Sequence, residues 1–344
     1  MAGSQKLELY QEYPQPGEEE LARKLAEFMK WVIMNREFLS GTTTRDVHAK
    51  TVATLKAELI VDDSVPPELR HGLFREPRRY PVWVRYSNSF QTPRKDKKRD
   101  IRGMAIKVMN VPGEKLLVQQ RDATTQDFAF LSTDVFLTRD TQEFFDFIVA
   151  VNTGFLPAFW YIVTHPRISL GYLASLKRYA NLMEVQYFSA GPQRLGKLAV
   201  KHSLKPRSSQ SSEMPDDPGS NYLRDVMDQR LAREEVYYDF MVQVQKDPYR
   251  QPIENALVSW SQELSPFQKV ATLRIPKQKV DTPERNLIGE NLSMNPWHSI
   301  PEHQPLGNVN RARRIVYFEI AKFRHERNFV PLEEPTAGPD FLDS

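Results

Sequence analysis

Val236-Tyr237-Tyr238-Asp239-Phe240-Met241-Val242-Gln243-Val244 carries an apolar or aromatic residue at every second position. A pleated strand points successive side chains to opposite faces, so Val236, Tyr238, Phe240, Val242 and Val244 share one buried face. Period two also governs Thr51–Val61, where Ala53, Leu55, Ala57, Leu59 and Val61 form the face expected to be buried. Outward from these two, residues 82–88, 104–110, 115–120, 127–131, 185–189, 197–204 and 269–275 read as further strands. Roughly eight short strands, parted by turn-like breaks and one helical stretch, predict an antiparallel β-barrel in an α+β fold, not a parallel sheet with crossover helices.

Helical spacing frames the barrel. Residues 18–39 place Leu21, Leu25, Phe28 and Val32 three and four apart. Residues 144–163 are as apolar as a membrane span, and near the ~20 residues that a span needs. Asp146, Asn152-Thr153-Gly154 and Pro157 interrupt them, which predicts two short helices and a turn. A buried pair is the expectation there, and contact with a membrane surface the alternative. Residues 208–219 form a polar, proline-containing loop, and 307–328 a basic helix. The tail after Val330, with Pro331, Pro335 and Pro339, reads as extended. The expected division is an N-terminal helical arm (1–40), a barrel (41–330) with a helical insertion at about 141–182, and the tail (331–344).

Composition narrows the chemistry. Of 344 residues, none is Cys, which excludes disulfides, thiolate nucleophiles, cysteine-ligated metals and covalently attached c-type haem. Were a haem present, its protein ligand would be His, Tyr or Met. The 47 basic residues exceed the 44 acidic ones by three, so no global field favours nucleic acid. The first residues show no apolar leader pattern, and the expected compartment is the cytoplasm.

Three constellations carry chemical potential. On the terminal helix, Arg313 stands four residues before Tyr317 and Arg324 seven after, so all three project from one face. A guanidinium one turn from a phenol favours the phenolate, a hard oxygen ligand for ferric iron. Arg324 lies ~10 Å along the axis, by the ~1.5 Å rise per residue, within reach of a propionate of a haem seated over Tyr317. Arg45-Asp46-Val47-His48-Ala49-Lys50 leads into the first strand. In Val82-Trp83-Val84-Arg85-Tyr86-Ser87, Arg85 and Ser87 share a face, and an interior Arg85 would need a charged ligand to neutralise it.

Together these residues resemble the catalase superfamily, as a short member related to small bacterial catalase-like proteins and to allene oxide synthase-type enzymes. Arg45-Asp46-Val47-His48-Ala49-Lys50 is similar to the family's distal Arg-x-x-His-Ala-Lys, and Val84-Arg85-Tyr86-Ser87 to its Val-Arg-Phe-Ser strand. Asp100-Ile101-Arg102-Gly103-Met104-Ala105-Ile106-Lys107 matches its Asp-x-Arg-Gly motif, and Arg313, Tyr317 and Arg324 its proximal set. Asn295-Pro296-Trp297-His298-Ser299-Ile300-Pro301-Glu302-His303 resembles a loop of the small bacterial branch. The resemblance covers about residues 40–145 and 235–328 and implies a catalase-like eight-stranded antiparallel barrel holding haem b. It implies Tyr317 as the axial iron ligand, held ionised by Arg313, with His48 as distal acid/base and Ser87 fixing its ring. Arg45, Arg85 and Arg324 would pair with the propionates.

The departures matter as much. Aligning Leu131-Ser132-Thr133-Asp134-Val135-Phe136 on the family's Asn-x-Pro-Val-Phe stretch puts Ser132 at the distal Asn, a weaker and shorter donor. Thr51 stands where Gly follows the Lys, and Phe318-Glu319-Ile320-Ala321 replaces Pro-Asp-Thr-His. The resemblance stops short of the C-terminal helical and flavodoxin-like parts of larger members. Val47 before His48 matches catalases, where coral-type allene oxide synthases carry Thr. The expected function is O–O bond cleavage in an organic, fatty-acid-type hydroperoxide, helped by the greasy 144–163 segment. A hydrogen peroxide catalase or peroxidase, and a non-enzymatic barrel carrying haem or lipid, are the alternatives. Self-association is compatible with either.

Overall fold

The structure, a computed structural model, describes residues 6–40, 43–208 and 211–342, so the expectations for 1–5, 41–42, 209–210 and 343–344 lie outside the described residues. Strands β1 (Thr51–Val61), β2 (Arg78–Asn88), β3 (Arg102–Met109) and β4 (Thr125–Leu131) form a meander. It continues through β5 (Tyr187–Ser189), while β7 (Leu198–Pro206), β8 (Val236–Val244) and β9 (Gln268–Ile275) extend the sheet from the other side of β1. Tyr187 pairs with Leu204 and Phe188 with Ser203, which closes the sheet into an 8-strand antiparallel barrel. The three-residue β6 (Gln193–Leu195) hangs on β7 as an outer hairpin and is too short to leave a sequence signal.

Alternation fills the interior: Leu55, Val84, Tyr86, Ile106, Phe128 and Phe240 are fully buried. Each large side chain of this kind contributes about 1.5–3 kcal/mol when buried. In β1 the opposite face is buried too, against the expectation of one wet side. Helix α6 (Pro283–Asn291, taking its label from chain order) lies over it, and a Cβ on Gly289 would come 2.2 Å from Thr54 Oγ1. Residues 115–120 are not a strand. Lys115 Nζ turns back to the carbonyls of Val111 and Gly113, and the segment ends in a 3-10 turn, Val118–Gln120.

Around the barrel run α1 (Glu18–Ser40), α2 (Thr141–Asn152), α3 (Phe155–Thr164), α4 (Pro166–Ser175), α5 (Tyr222–Leu231) and α7 (Asn308–Arg327). Helix α7 packs on α1 through Ala312 and Val316 against Ala22, Leu25, Ala26 and Met29. Arg311 fixes its start by ion pairs to Glu12, Glu18 and Glu254. Helix α2 is capped by Asp140, whose carboxylate accepts the Glu143 N–H at 3.0 Å, and Gly154 at φ 131° breaks it from α3. The helix pair forms, but α3 is not buried: its only buried residue is Tyr161. The tail beyond α7 has no regular structure, yet it is docked. Glu334 reaches the buried Lys107 and Thr125 Oγ1, and the Phe341 ring meets Trp83 edge-on at 5.1 Å.

Candidate functional site

His48 ends the segment leading into β1 with a left-handed backbone, φ 59°. That conformation is uncommon for a residue with a Cβ and persists where its surroundings impose it. Three partners do so. Its N–H donates to Ser89 O at 3.2 Å, its carbonyl accepts from Arg85 Nη2 at 2.9 Å, and its ring Nδ1 meets Ser87 Oγ at 3.0 Å. Ser87 alternates with the interior Tyr86, so the His48 ring lies on the outer surface of the barrel. Gly103 is opposite Ser87 in register, and a Cβ there would come 2.6 Å from His48 Nδ1 and 2.8 Å from Ser87 Oγ. Only glycine leaves room for the ring.

Arg85 sits two residues before Ser87 on the same face and is buried. It donates to Thr51 Oγ1 at 2.7 Å and to Gly289 O at 3.2 Å, and Thr51 Oγ1 in turn donates to Glu290 Oε1 at 2.7 Å. Arg45 lies 3.6 Å from Glu290 Oε2, and Arg324 Nη1 donates to Glu290 O at 2.5 Å. Three guanidinium groups therefore converge at the end of α6. Among the described residues, Glu290 is the one carboxylate within 4.0 Å of any of them. Arg45 Nη1 is buried without a hydrogen-bond partner. Burial pushes all three down from the usual arginine range, and the charge of Arg45 adds to this at Arg85 and Arg324, bringing Arg324 to about 9. Removal from water followed by the charges of Arg85, Arg313 and Arg45 pushes His48 down to about 3, so its ring is neutral at pH 7.

Arg313 on α7 is among the charges that act on His48. Arg313 lies over the Tyr317 ring at 5.7 Å and over Phe136 at 5.3 Å, and its Nη1 donates to Asn310 Oδ1 at 3.1 Å. The guanidinium thus faces the aromatic ring of Tyr317 while its hydrogen bond goes to Asn310. Asn310 is itself braced by the preceding loop, where Trp297 Nε1 donates to its carbonyl at 2.5 Å. On the outer face shared with Gly103, the paired Ala105 and Ala129 are half-buried and leave the sheet surface shallow.

The structure brings His48, Ser87, Arg45, Arg85 and Arg324 together, with Arg313 and Tyr317 on the helix beyond. Ser132 is placed differently. It falls on the opposite strand parity from Leu131 and Gly103, and its Oγ accepts the Arg102 N–H at 2.9 Å. The two histidines of residues 295–303 are structural. His298 is held between Gln120 Oε1 at 2.9 Å and Thr125 Oγ1 at 2.8 Å, and His303 Nε2 accepts the Leu73 N–H at 3.0 Å. Thr51 and Glu290 went unassigned in the sequence, although Thr51 was visible there as a departure from glycine. Among the described residues, no group of three or more His, Asp and Glu side chains is arranged to hold a bare metal ion.

No protein-family model matches the sequence, and no curated protein is similar to it in sequence. Solved structures are similar in fold. A fungal catalase superposes with a TM-score of 0.67 at 17% identity, over 95% of this chain and 67% of its own. A bacterial catalase gives 0.66 at 18% identity, over 98% of this chain and 66% of its own. Catalase A from Saccharomyces cerevisiae gives 0.67 at 17% identity, over 96% and 70%. The protein has a catalase-like fold. It spans about two thirds of the length of those catalases.

Proposed function

We propose that this chain is a haem-dependent enzyme that cleaves the O–O bond of a peroxide, with an organic hydroperoxide as its substrate. The observation that carries this reading is the cluster of Arg45, Arg85 and Arg324, two buried cations and one half-buried one with a single carboxylate neighbour among the described residues, beside the His48–Ser87 pair. Unpaired buried charge is costly, and a group bearing two carboxylates relieves it. The two haem propionates have that chemistry, the small side chains of Ala105 and Ala129 on the outer sheet face leave room beside His48 for a flat ring, and Tyr317 offers one oxygen ligand. When bound, haem would supply a redox-active iron whose electronics the Tyr317 oxygen would tune.

The chain's own residues handle the proton. Ser87 occupies His48 Nδ1, which leaves Nε2 to take the proton from the hydroperoxide and return it to the departing oxygen. Carboxylates placed against Arg85 and Arg45 cancel two of the charges that depress His48 and raise its basicity in part, while burial, the larger cause, remains. Arg313 stays beside Tyr317 as a fixed positive charge.

The organic substrate is supported by the apolar surroundings beside Tyr317, where Phe136 lies under Arg313 and packs on Phe144 of α2 at 5.3 Å. Hydrogen peroxide is the second reading, favoured by the catalase-like fold. Haem-loaded protein given a fatty-acid hydroperoxide is expected to consume its conjugated-diene absorbance faster than free haemin, and His48→Ala to lose most of that rate. Oxygen release from hydrogen peroxide with no diene loss would assign the second reading. Rates at the free-haemin level in both assays would remove both.

A further inference from the structure

Helix α3 presents Phe155, Leu156, Phe159, Trp160, Ile162 and Val163 to solvent, with Phe155 80% and Trp160 68% exposed. On α4, Leu170 and Leu173 continue the surface. Soluble proteins rarely expose so many large apolar side chains together unless the patch meets a partner or a membrane. No helix among the described residues is long and apolar enough to cross a bilayer, so the surface is suited to lying on one.

Charge identifies the partner. No acidic residue occurs between Asp146 and Glu184, whereas Arg167, Lys177 and Arg178 are exposed within that stretch. Just past α4, Lys177 exchanges backbone hydrogen bonds with Asp100, which ties the apolar hairpin to the loop before β3. That loop exposes Arg94, Lys95, Lys97, Lys98 and Arg99. Its two acids are turned inward: Asp96 binds Lys50 and Asn88, and Asp100 binds Ser89. The result is an aromatic and aliphatic helix face joined to a cationic loop whose counter-charges are buried. Interfacial Trp and Phe with flanking Lys and Arg is the chemistry that anionic lipid attracts.

We propose that α3, α4 and the 94–99 loop dock the protein peripherally on an anionic lipid bilayer, with the apolar face of α3 in the headgroup region. The surface does not depend on the haem reading. If both hold, it brings the protein to where lipid hydroperoxides form.

The test is co-sedimentation of the full chain with vesicles of phosphatidylcholine alone or mixed with equal phosphatidylglycerol. Wild type is expected to pellet with the anionic vesicles and to release in high salt. Phe159→Asp/Trp160→Asp and Lys97→Glu/Lys98→Glu should each weaken binding by about tenfold or more. Unchanged circular dichroism would show that these surface variants stay folded. Wild type remaining in the supernatant overturns the proposal, as does equal pelleting of both variants. A dimer in light scattering that Phe159→Asp/Trp160→Asp dissolves, without vesicle binding, assigns the face to a second copy instead.

Discussion

Arg324→Met is expected to make the unliganded protein more stable and its haem complex weaker, two effects of opposite sign from one side chain. Arg324 is buried beside Arg45 and Arg85, and burial followed by the charge of Arg45 lowers it to about 9. A base whose folded pKa lies below its unfolded one opposes folding at every pH below the folded value, and the cost fades as pH rises through about 9. Replacing such a charge with an apolar side chain of similar length gains about 1–3 kcal/mol at pH 7. In the haem complex the same guanidinium would meet a propionate, and its loss removes a charge-assisted hydrogen bond. Haemin affinity should then fall by roughly 10- to 100-fold. Urea unfolding of the apoprotein and a haemin titration read the two numbers. A destabilised apoprotein with unchanged haemin affinity would make Arg324 a structural residue and remove it from the site.

Acid is expected to unfold the apoprotein steeply. His202, His298 and His303 are buried and His48 is half-buried, and loss of water around each ring holds it neutral with its pKa pushed down to about 3. Unfolded histidines titrate near ~6.5. The stability these four confer is therefore complete above that value and is lost as pH falls toward 3. Asp46 and Asp127 act in the opposite sense. Burial raises them to about 6 and about 7, so the folded state keeps protons there that the unfolded chain has released. The four rings outnumber these two carboxylates, so stability is expected to fall as pH drops below the usual histidine range. Denaturant midpoints at pH 7, 6, 5 and 4 check this. A midpoint unchanged down to pH 4 would show that the four rings are not held neutral.

The barrel was legible because its strands alternate and its inward face is apolar, as Val236–Val244 shows. Where reading failed, local sequence competed with distant partners. The short apolar run in 115–120, Leu116-Leu117-Val118, was overridden by Lys115 folding back on its own turn. The polar face of β1 is buried only because α6, more than 200 residues later, covers it. The tail looked merely extended, and its anchor is a lysine on β3, itself buried between Asp127 and Glu334.

Within the site, the helix spacing of Arg313, Tyr317 and Arg324 and the pairing of Arg85 with Ser87 were readable, because local periodicity sets both. The direction of the Arg313 guanidinium was not, since Asn310 and Phe136 decide it. Ser132 was placed by a local alignment alone, and just past the end of β4 its hydroxyl accepts the Arg102 N–H. Glu290 had no sequence signal at all. It matters only because the fold sets the end of α6 against three arginines from distant segments.

A haem site built on Tyr317 is tested most directly by the absorption spectrum of the protein titrated with haemin. Wild type is expected to form a one-to-one complex with a shifted Soret band and the charge-transfer bands of a ferric phenolate, and Tyr317→Phe to lack those bands or bind no haemin. A wild-type spectrum identical to free haemin, or a Tyr317→Phe spectrum identical to wild type, would contradict it.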